Sequence, residues 1–313
     1  MSQHKILISD PLGESGKELL RQHAEVADKA GISPEDLEKE IHGYHALIVR
    51  GRTKVTQAIF DAGKNLKVVG RAGVGVDNID LTAAQAAGVT VVNAPTATTA
   101  AVAEHTFALM LALSRNIPRA DATMKAGQWE KKALKGSELG GKTLGIIGMG
   151  RIGSAVAQIA GTFGMTVLGC DPLISEDDVK EKGAIPQCLE DTLAQSDIIS
   201  IHVPLIPETR DLIDEKAITL MKPGVTLIST ARGGIIDEAA LLKGLESGQV
   251  ARAALDVFAD EPPGLIPLVK HPHLIATPHI GAQTLEAQER AATHIAEEII
   301  SSLKGQPLRW KVV

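Results

Sequence analysis

Short apolar runs recur along the first third of the chain. They lie at residues 5–9, 45–49, 67–70 and 89–92, and amphipathic stretches separate them. Short β-branched runs of this kind predict strands, and apolar residues that return at helical spacing predict helices between them. Ser33, followed by Pro34 and two acidic residues, is a typical N-cap with proline in the first turn, which predicts a helix over 34–41. The pattern therefore predicts a first half of alternating strands and helices.

A second series of apolar runs fills the later part of the chain. Its members are 143–148, 166–170, 197–202, 225–229, 252–256 and 273–276. These runs are continuously apolar rather than alternating, as are strands that helices cover on both faces. Parallel strands joined by helices are the expected consequence, so the predicted fold class is α/β with doubly wound parallel sheets.

Two long helical patterns lie outside both series. Residues 99–113 are rich in Ala and Leu and contain no Gly or Pro, which predicts a helix that connects the two halves. The pattern over 285–303 begins after the second series has ended. We expect this last helix to return to the first half, which would make the first domain discontinuous.

A glycine-rich turn marks the start of the second half. Gly148, Gly150 and Gly153 form the motif GMGRIG between the apolar run TLGII and a helical pattern. Glycines at such a turn let backbone amides at a helix N-terminus approach a pyrophosphate closely. Asp171 follows the next predicted strand, where a carboxylate can accept hydrogen bonds from a ribose. No Arg or Lys directly follows Asp171, so the sequence favours NAD over NADP. The alternative to a dinucleotide site is a tight turn and a surface Asp that bind no ligand.

Three polar residues follow predicted strands of this second half. Arg232 lies in STARGGIIDEAAL, Glu261 in ALDVFADEPP and His279 in ATPHIGA. A guanidinium binds a carboxylate with two parallel hydrogen bonds, and a histidine braced by a carboxylate transfers protons near neutral pH. These are the groups that hydride transfer between a nicotinamide cofactor and a 2-hydroxy acid requires. Spacing alone leaves open that they are ordinary surface residues.

Composition and charge narrow the class of protein. A chain of 313 residues, 44% hydrophobic, predicts two globular domains rather than one. Its net charge of −6 argues against nucleic acid as a partner. Two cysteines, Cys170 and Cys188, are too few for a disulfide scaffold. No metal is expected, because His271 and His273 lack further ligands at suitable spacing. The first residues lack a secretion signal and no run is long enough to span a membrane, so a cytoplasmic location is expected.

Five segments give the chain a resemblance to a known family. They are RAGVGVDNID, GKTLGIIGMGRIG, ARGGIIDEAAL, ALDVF with its EPP, and PHIGA. Together they resemble the D-isomer-specific 2-hydroxyacid dehydrogenases over nearly the whole chain. The resemblance implies a Rossmann NAD-binding domain at 98–282 inserted into a flavodoxin-like substrate domain formed by 1–97 and 283–313. It also implies a catalytic set of Arg232, Glu261 and His279, and a homodimer with the helix at 99–113 in its interface; a tetramer of two such dimers is the alternative.

The resemblance assigns further contacts. It implies cofactor contacts for Gly148, Gly150, Arg151, Ile152, Gly153, Asp171, Val203, Thr230, Ala231, Arg232, Asp256, His279, Gly281 and Ala282, with Asp256 facing the nicotinamide carboxamide. Loop amides at 72–75, including those of Val74 and Gly75, would bind the substrate carboxylate. Arg50, Arg52 and Arg71 could form a basic corner for a substrate phosphate, and Lys131 matches a basic residue that relatives are thought to contribute across the dimer. Arg52 stands where relatives often have a small residue, and Val74 replaces a hydroxyl that some relatives carry.

The members that this chain resembles most oxidise 3-phospho-D-glycerate to 3-phosphohydroxypyruvate, the first step of serine synthesis. Reduction of glyoxylate or hydroxypyruvate is an alternative with the same chemistry and a different acid. A protein of another class, which senses NAD as related transcriptional corepressors do, is a third interpretation. The chain ends soon after the last predicted helix, so no C-terminal regulatory domain and no feedback by serine through one are expected.

Overall fold

A computed structural model describes residues 4–313, and these residues form two α/β units. Unit 1 runs to Thr99 and resumes at Ala282, and unit 2 runs from Ala100 to Gly281. The junctions fall at 99/100 and 281/282, compared with the expected 97/98 and 282/283. Both ends of the chain therefore belong to one unit, and the other unit is an insertion.

Unit 1 is built on five parallel strands in the order β2-β1-β3-β4-β5, which is the flavodoxin-like order. The strands are β1 (Lys5–Ile8), β2 (Glu25–Asp28), β3 (Ala46–Val49), β4 (Val68–Arg71) and β5 (Thr90–Asn93). The helices are α1 (Glu14–Arg21), α2 (Pro34–Glu40), α3 (Gln57–Ala62), α4 (Leu81–Ala86) and α13 (Leu285–Leu303), with a 3₁₀ turn at Ile41–Gly43.

Helix α13 returns to unit 1, as the sequence predicts. Its apolar face, which includes Ile295 and Ile299, is buried in the core that covers one face of the sheet. Gly70 in β4 permits this packing, because a Cβ there would lie 2.8 Å from Ile295 Cγ1. Ser33 caps α2 by accepting a hydrogen bond from the Asp36 amide, which is the N-cap that the sequence predicts.

Unit 2 is built on seven parallel strands in the order β12-β11-β10-β9-β6-β7-β8. The strands are β6 (Thr143–Ile147), β7 (Thr166–Cys170), β8 (Ile185–Pro186), β9 (Ile198–Ile201), β10 (Val225–Ser229), β11 (Val250–Leu255) and β12 (Leu274–Ala276). The helices are α5 (Thr99–Ser114), α6 (Ile117–Lys125), α7 (Arg151–Thr162), α8 (Glu176–Glu181), α9 (Leu189–Gln195), α10 (Glu215–Leu220), α11 (Glu238–Ser247) and α12 (Pro267–Lys270). Counted from β6, the order is that of the Rossmann fold with one further strand at an edge.

The strand order places a switch point beside β6. Strands β7 and β9 flank β6, and the chain leaves β6 toward β7 but later crosses back to β9. Open parallel sheets bind ligands at such a point, outside the carboxyl ends of the strands. In the described part of the chain, no helix is long and apolar enough to cross a membrane.

Candidate active site

The carboxyl edge of the unit 2 sheet collects most of the predicted site residues. His279 follows β12, Glu261 follows β11, and Arg232 follows β10, and these three strands are neighbours. Val203 follows β9, the glycine turn follows β6, and Asp171 follows β7. Because all these strands are parallel, their carboxyl ends lie along one edge of the sheet. The topology therefore brings residues far apart in sequence onto a single edge.

The glycine turn packs so closely that two of its glycines have no room for a side chain. Gly148 has φ +95°, and a Cβ there would lie 2.7 Å from the His202 carbonyl oxygen and 2.8 Å from Val203 Cγ1. A Cβ at Gly153 would lie 2.0 Å from the Gly148 oxygen, so only glycine lets α7 begin this close to β6. No atom lies within 4 Å of the corresponding position at Gly150. The turn is thus closed toward the sheet and open at Gly150.

Helix α7 begins directly after the turn, with Gly150 as its N-cap and Arg151 and Ile152 in the first turn. The first amides of a helix lack partners within the helix and carry partial positive charge. This arrangement fits a dinucleotide pyrophosphate at the open position beside Gly150.

Asp171 lies against the glycine turn. One of its carboxylate oxygens accepts a hydrogen bond from the Met149 amide at 2.9 Å, and the other accepts from the Leu173 amide at 3.0 Å. A carboxylate has about four lone-pair sites, so these two bonds leave acceptor capacity for hydroxyl groups. The Asp171 carboxylate thus lies beside the glycine turn, and its contact with a ribose stays a prediction.

The loop after β10 carries Arg232 and packs against the loop after β11. A Cβ at Gly233 would lie 1.8 Å from the Phe258 carbonyl oxygen, so glycine is required for the two loops to meet. The half-buried Arg232 donates from Nη1 to the Ala231 carbonyl oxygen at 2.7 Å. The buried Thr230 hydroxyl lies 3.0 Å from the Thr106 hydroxyl on α5. The loop that carries Arg232 is thus fixed by its contacts with the loop after β11 and with α5.

Glu261 and His279 form the pair that the sequence predicts. His279 Nδ1 lies 2.8 Å from Glu261 Oε2, and the other carboxylate oxygen accepts from the Phe258 amide at 3.1 Å. The side chains of His279 and Glu261 are 47% and 38% exposed, so a ligand can reach the imidazole. A carboxylate at Nδ1 fixes the proton there and leaves Nε2 for exchange with a substrate.

Asp256 organises the backbone that carries His279. Its carboxylate is buried and accepts from the Thr277 hydroxyl at 2.6 Å and from the Ile280 and Gly281 amides at 2.9 and 2.8 Å. Burial opposes ionisation, but hydrogen bonds from His105, Thr277 and the two amides outweigh it and lower the pKa of Asp256. The expected contact of Asp256 with the nicotinamide carboxamide stays a prediction, and these bonds hold its carboxylate in a fixed orientation. Ala282, the residue after Gly281, is half-buried.

Unit 1 carries three of the four predicted basic residues, and one of them, Arg52, bonds to the protein itself. Arg52 donates from Nε to Asp10 Oδ1 at 3.3 Å and from Nη2 to the carbonyl oxygens of Ser9 and Ile32 at 3.2 and 3.3 Å. Asp10 is buried and also accepts from the Thr53 hydroxyl. These bonds use Nε and Nη2 and leave Nη1 of a side chain that is 54% exposed, so the phosphate contact of Arg52 stays a prediction.

Arg50 and Arg71 are placed differently. Burial lowers the pKa of the Arg50 guanidinium, although Asp10 opposes that shift. Within residues 4–313 this guanidinium has no hydrogen-bond partner, so an anion would stabilise it. Arg71 lies over the following loop, since a Cβ at Gly73 would lie 1.5 Å from Arg71 Nη1. Both cations are therefore candidates for a phosphate site.

The loop after β4 offers amides. The amides of Ala72 and Gly73 bond to Val49 and Arg71, whereas those of Val74 and Gly75 have no partner among the described residues. Two neighbouring free amides suit a carboxylate.

Lys131 is exposed in the segment after α6. Across residues 4–313, no group of three or more His, Cys, Asp or Glu side chains is arranged to hold a metal ion.

Three residues near the site were not predicted from the sequence. His105 and Thr106 lie on α5, which the sequence indicates only as a connecting helix, and Thr277 lies just after β12. His105 Nε2 lies 3.3 Å from Thr277 Oγ1 and 3.4 Å from Asp256 Oδ1. The one local signal is the run of three polar residues, Glu104 to Thr106, within an otherwise apolar helix.

Comparison with known proteins decides the family. A model of the D-isomer specific 2-hydroxyacid dehydrogenase family, which describes its NAD binding domain, matches residues 107–281. The chain belongs to this dehydrogenase family. The match confirms the NAD-binding domain predicted from the glycine turn.

Relatives and solved structures place this chain within its family. The D-3-phosphoglycerate dehydrogenase of Bacillus subtilis is 49% identical over 306 residues, which is 97% of this chain and 58% of that protein. The enzyme of the same name from Methanocaldococcus jannaschii is 46% identical over 303 residues, which is 96% of this chain and 58% of that protein. The chain therefore spans somewhat more than half the length of these curated relatives.

Two solved structures match along their entire length. The TT0316 protein from Thermus thermophilus has a TM-score of 0.89 at 35% identity, with 99% of this chain and 100% of that chain covered. A glyoxylate reductase from Paecilomyes thermophila has a TM-score of 0.91 at 31% identity, with 100% and 99% covered. The two-unit fold of this chain is therefore that of its family.

Proposed function

We propose that this dehydrogenase oxidises 3-phospho-D-glycerate to 3-phosphohydroxypyruvate with NAD, the first step of serine synthesis. The observation that carries the reaction type is the 2.8 Å bond between His279 and Glu261, on the same sheet edge as Arg232 and the glycine turn. The curated relatives named D-3-phosphoglycerate dehydrogenase support the choice of substrate.

The residues divide the chemistry among them. Arg232 binds the substrate carboxylate with its guanidinium, which matches that group in shape and charge. His279 takes the proton of the C2 hydroxyl at Nε2 during oxidation and returns it during reduction. Glu261, bonded to Nδ1, stabilises the imidazolium that forms. Bound NAD would supply the acceptor for the C2 hydride.

The position of Asp171 favours NAD over NADP. Its carboxylate lies at the glycine turn, and Pro172, Leu173 and Ile174 supply no cation after it. A 2′-phosphate at that position would meet negative charge without compensation. We therefore propose that NAD is the cofactor used.

We assign binding of the substrate phosphate to Arg50 and Arg71. The amides of Val74 and Gly75 are assigned to the substrate carboxylate, in addition to Arg232. The support is a half-buried Arg50 without a partner in the described part of the chain, and Arg71 folded over a loop with two free amides. Glyoxylate is the second candidate, because the full-length structural match to a glyoxylate reductase shows the same fold serving an acid without a phosphate.

A substrate panel tests the proposal. We expect the highest kcat/KM with 3-phosphoglycerate and NAD when 3-phosphoglycerate, D-glycerate and D-lactate are each oxidised with NAD and with NADP, and glyoxylate is reduced with NADH and NADPH. Arg71→Ala should raise KM for the phosphorylated acid roughly 10- to 100-fold, since a bond between charged groups contributes about 1.5–3 kcal/mol, and should leave KM for glyoxylate unchanged. Arg21→Ala, at an exposed arginine of unit 1, is the control.

A preference for glyoxylate that Arg71→Ala does not alter would favour the second candidate, and no turnover of any acid would favour an NAD-sensing protein.

We also propose a homodimer that uses α6 and the segment after it. Ile117, Met124 and Trp129 are 53%, 55% and 78% exposed on this surface, and such clusters are typical of interfaces. Sedimentation velocity should give twice the chain mass of 32.9 kDa. Trp129→Glu should shift the protein toward monomer, whereas Leu173→Glu, at a residue that is 87% exposed, should not. A wild-type monomer, or equal behaviour of the two variants, would argue against this surface.

A further inference from the structure

Helix α5 presents two consecutive polar side chains to the loops that carry the reacting residues. His105 is 17% exposed and contacts the loop after β12, and the buried Thr106 contacts Thr230 after β10. Neither side chain takes part in the proposed reaction. Of the two, His105 has the more specific environment, because it meets a buried carboxylate.

The contacts of His105 determine where its proton lies. The Thr277 hydroxyl donates its single proton to Asp256 Oδ1 at 2.6 Å. Thr277 Oγ1 can therefore only accept from His105 Nε2, which lies 3.3 Å away. His105 Nε2 must carry a proton, and that proton is shared with Asp256 Oδ1 at 3.4 Å. His105 Nε2 is thus a hydrogen-bond donor to the Asp256 carboxylate.

Asp256 in turn fixes three successive backbone groups. Its carbonyl oxygen accepts from the His279 amide at 2.9 Å, and its carboxylate accepts from the amides of Ile280 and Gly281. His279 has φ +53°, a left-handed conformation that is uncommon for residues other than glycine. Such a conformation persists where surrounding bonds enforce it, and here Asp256 supplies those bonds.

We propose that His105 is a positioning residue for His279, acting through Asp256 and Thr277. This inference rests on the proposed function, in which His279 exchanges the substrate proton. The donor from α5 keeps Asp256 Oδ1 oriented toward the Ile280 amide, and the amides hold the imidazole where Glu261 can bond it. Without that donor, the loop also adopts conformations in which His279 is not left-handed. The imidazole then lies within reach of Glu261 for a smaller fraction of the time.

Three variants separate positioning from general stability. His105→Leu removes the donor and keeps a side chain of similar bulk. His105→Gln keeps an amide N–H at a comparable reach along the side chain. His273→Leu is the matched control, because it makes the same change at an exposed histidine of the same unit. Each is assayed with the acid that the wild-type protein turns over best, so an inactive wild-type protein contradicts the proposed function and not this inference.

We expect His105→Leu to lower kcat about tenfold while KM for the acid and the Kd for NADH stay within about twofold, because reaction geometry is more sensitive than binding to a small displacement. His105→Gln should recover most of kcat, and His273→Leu should match wild type. Hydrogen exchange of the unliganded protein should be faster at the Ile280 and Gly281 amides in His105→Leu only. Wild-type kcat in His105→Leu, equal impairment of His105→Leu and His105→Gln, or a loss of NADH affinity that matches the loss of kcat would each overturn the proposal.

Discussion

Replacing His279 with Ala is expected to lower kcat by roughly 10²- to 10⁴-fold, the usual contribution of a positioned general acid or base. The imidazole is the group that exchanges the C2 hydroxyl proton, and its Nδ1 bond to Glu261 leaves only Nε2 for that exchange. The Kd for NADH, measured by fluorescence titration, should change little. Steady-state kinetics of the purified protein with its preferred acid give the comparison.

The backbone at this position calls for a second variant. His279 has φ +53°, and Asn tolerates that conformation better than Ala does. His279→Asn should therefore keep the loop intact and still lose the proton transfer, so its kcat should be about as low as that of His279→Ala. Glu261→Gln keeps an oxygen for Nδ1 but loses the charge, and its kcat should lie between wild type and the His279 variants. Near-normal turnover in His279→Asn would remove His279 from the reaction.

Local sequence signals were sufficient for most of the fold. The ten predicted strands lie within two residues of their positions in the structure, because continuous apolar runs identify strands buried on both faces. The two missed strands lie at sheet edges: β2 has no fully buried residue, and β8 has two residues, one of them proline. Helix α2 ends one residue earlier than predicted because the chain continues there as a 3₁₀ turn. An edge strand faces other elements on one side only, so its sequence carries less of the pattern that marks a strand.

The site was predictable where chemistry follows strand ends, and less so where it depends on distant contacts. The glycine turn and the pairing of Glu261 with His279 follow from residue types placed after strands. The engagement of Arg52 with Asp10, 42 residues away in sequence, has no local signal. The same holds for the contact of His105 with Thr277 across 172 residues. Buried polar groups find partners that only the folded chain brings near, so the roles of Arg52, Asp256 and His105 needed coordinates.

Arg232→Lys should lower kcat/KM for the acid roughly 100-fold, although the charge is retained. A guanidinium binds a carboxylate through two parallel hydrogen bonds, and a lysine ammonium cannot reproduce that geometry. Losing about 3 kcal/mol of charge-assisted bonding corresponds to roughly a hundredfold change. Arg232→Ala should lower kcat/KM further, and added guanidinium ion should restore part of the activity of that variant alone. The measurement is kcat/KM with the preferred acid at saturating NAD.

Arg252→Lys supplies the comparison that isolates the site. Arg252 lies near the start of β11, so it is at the opposite edge of the same sheet, where its Nη1 donates to the Leu113 carbonyl oxygen at 2.6 Å. The two arginines are both half-buried, and the change is chemically identical. Since the carboxyl edge is where parallel sheets bind ligands, Arg252→Lys should leave kcat/KM within about twofold of wild type. Equal losses in the two variants would show that Arg232 supports the fold instead of binding the acid, and the assignment of the carboxylate to this edge would fail with it.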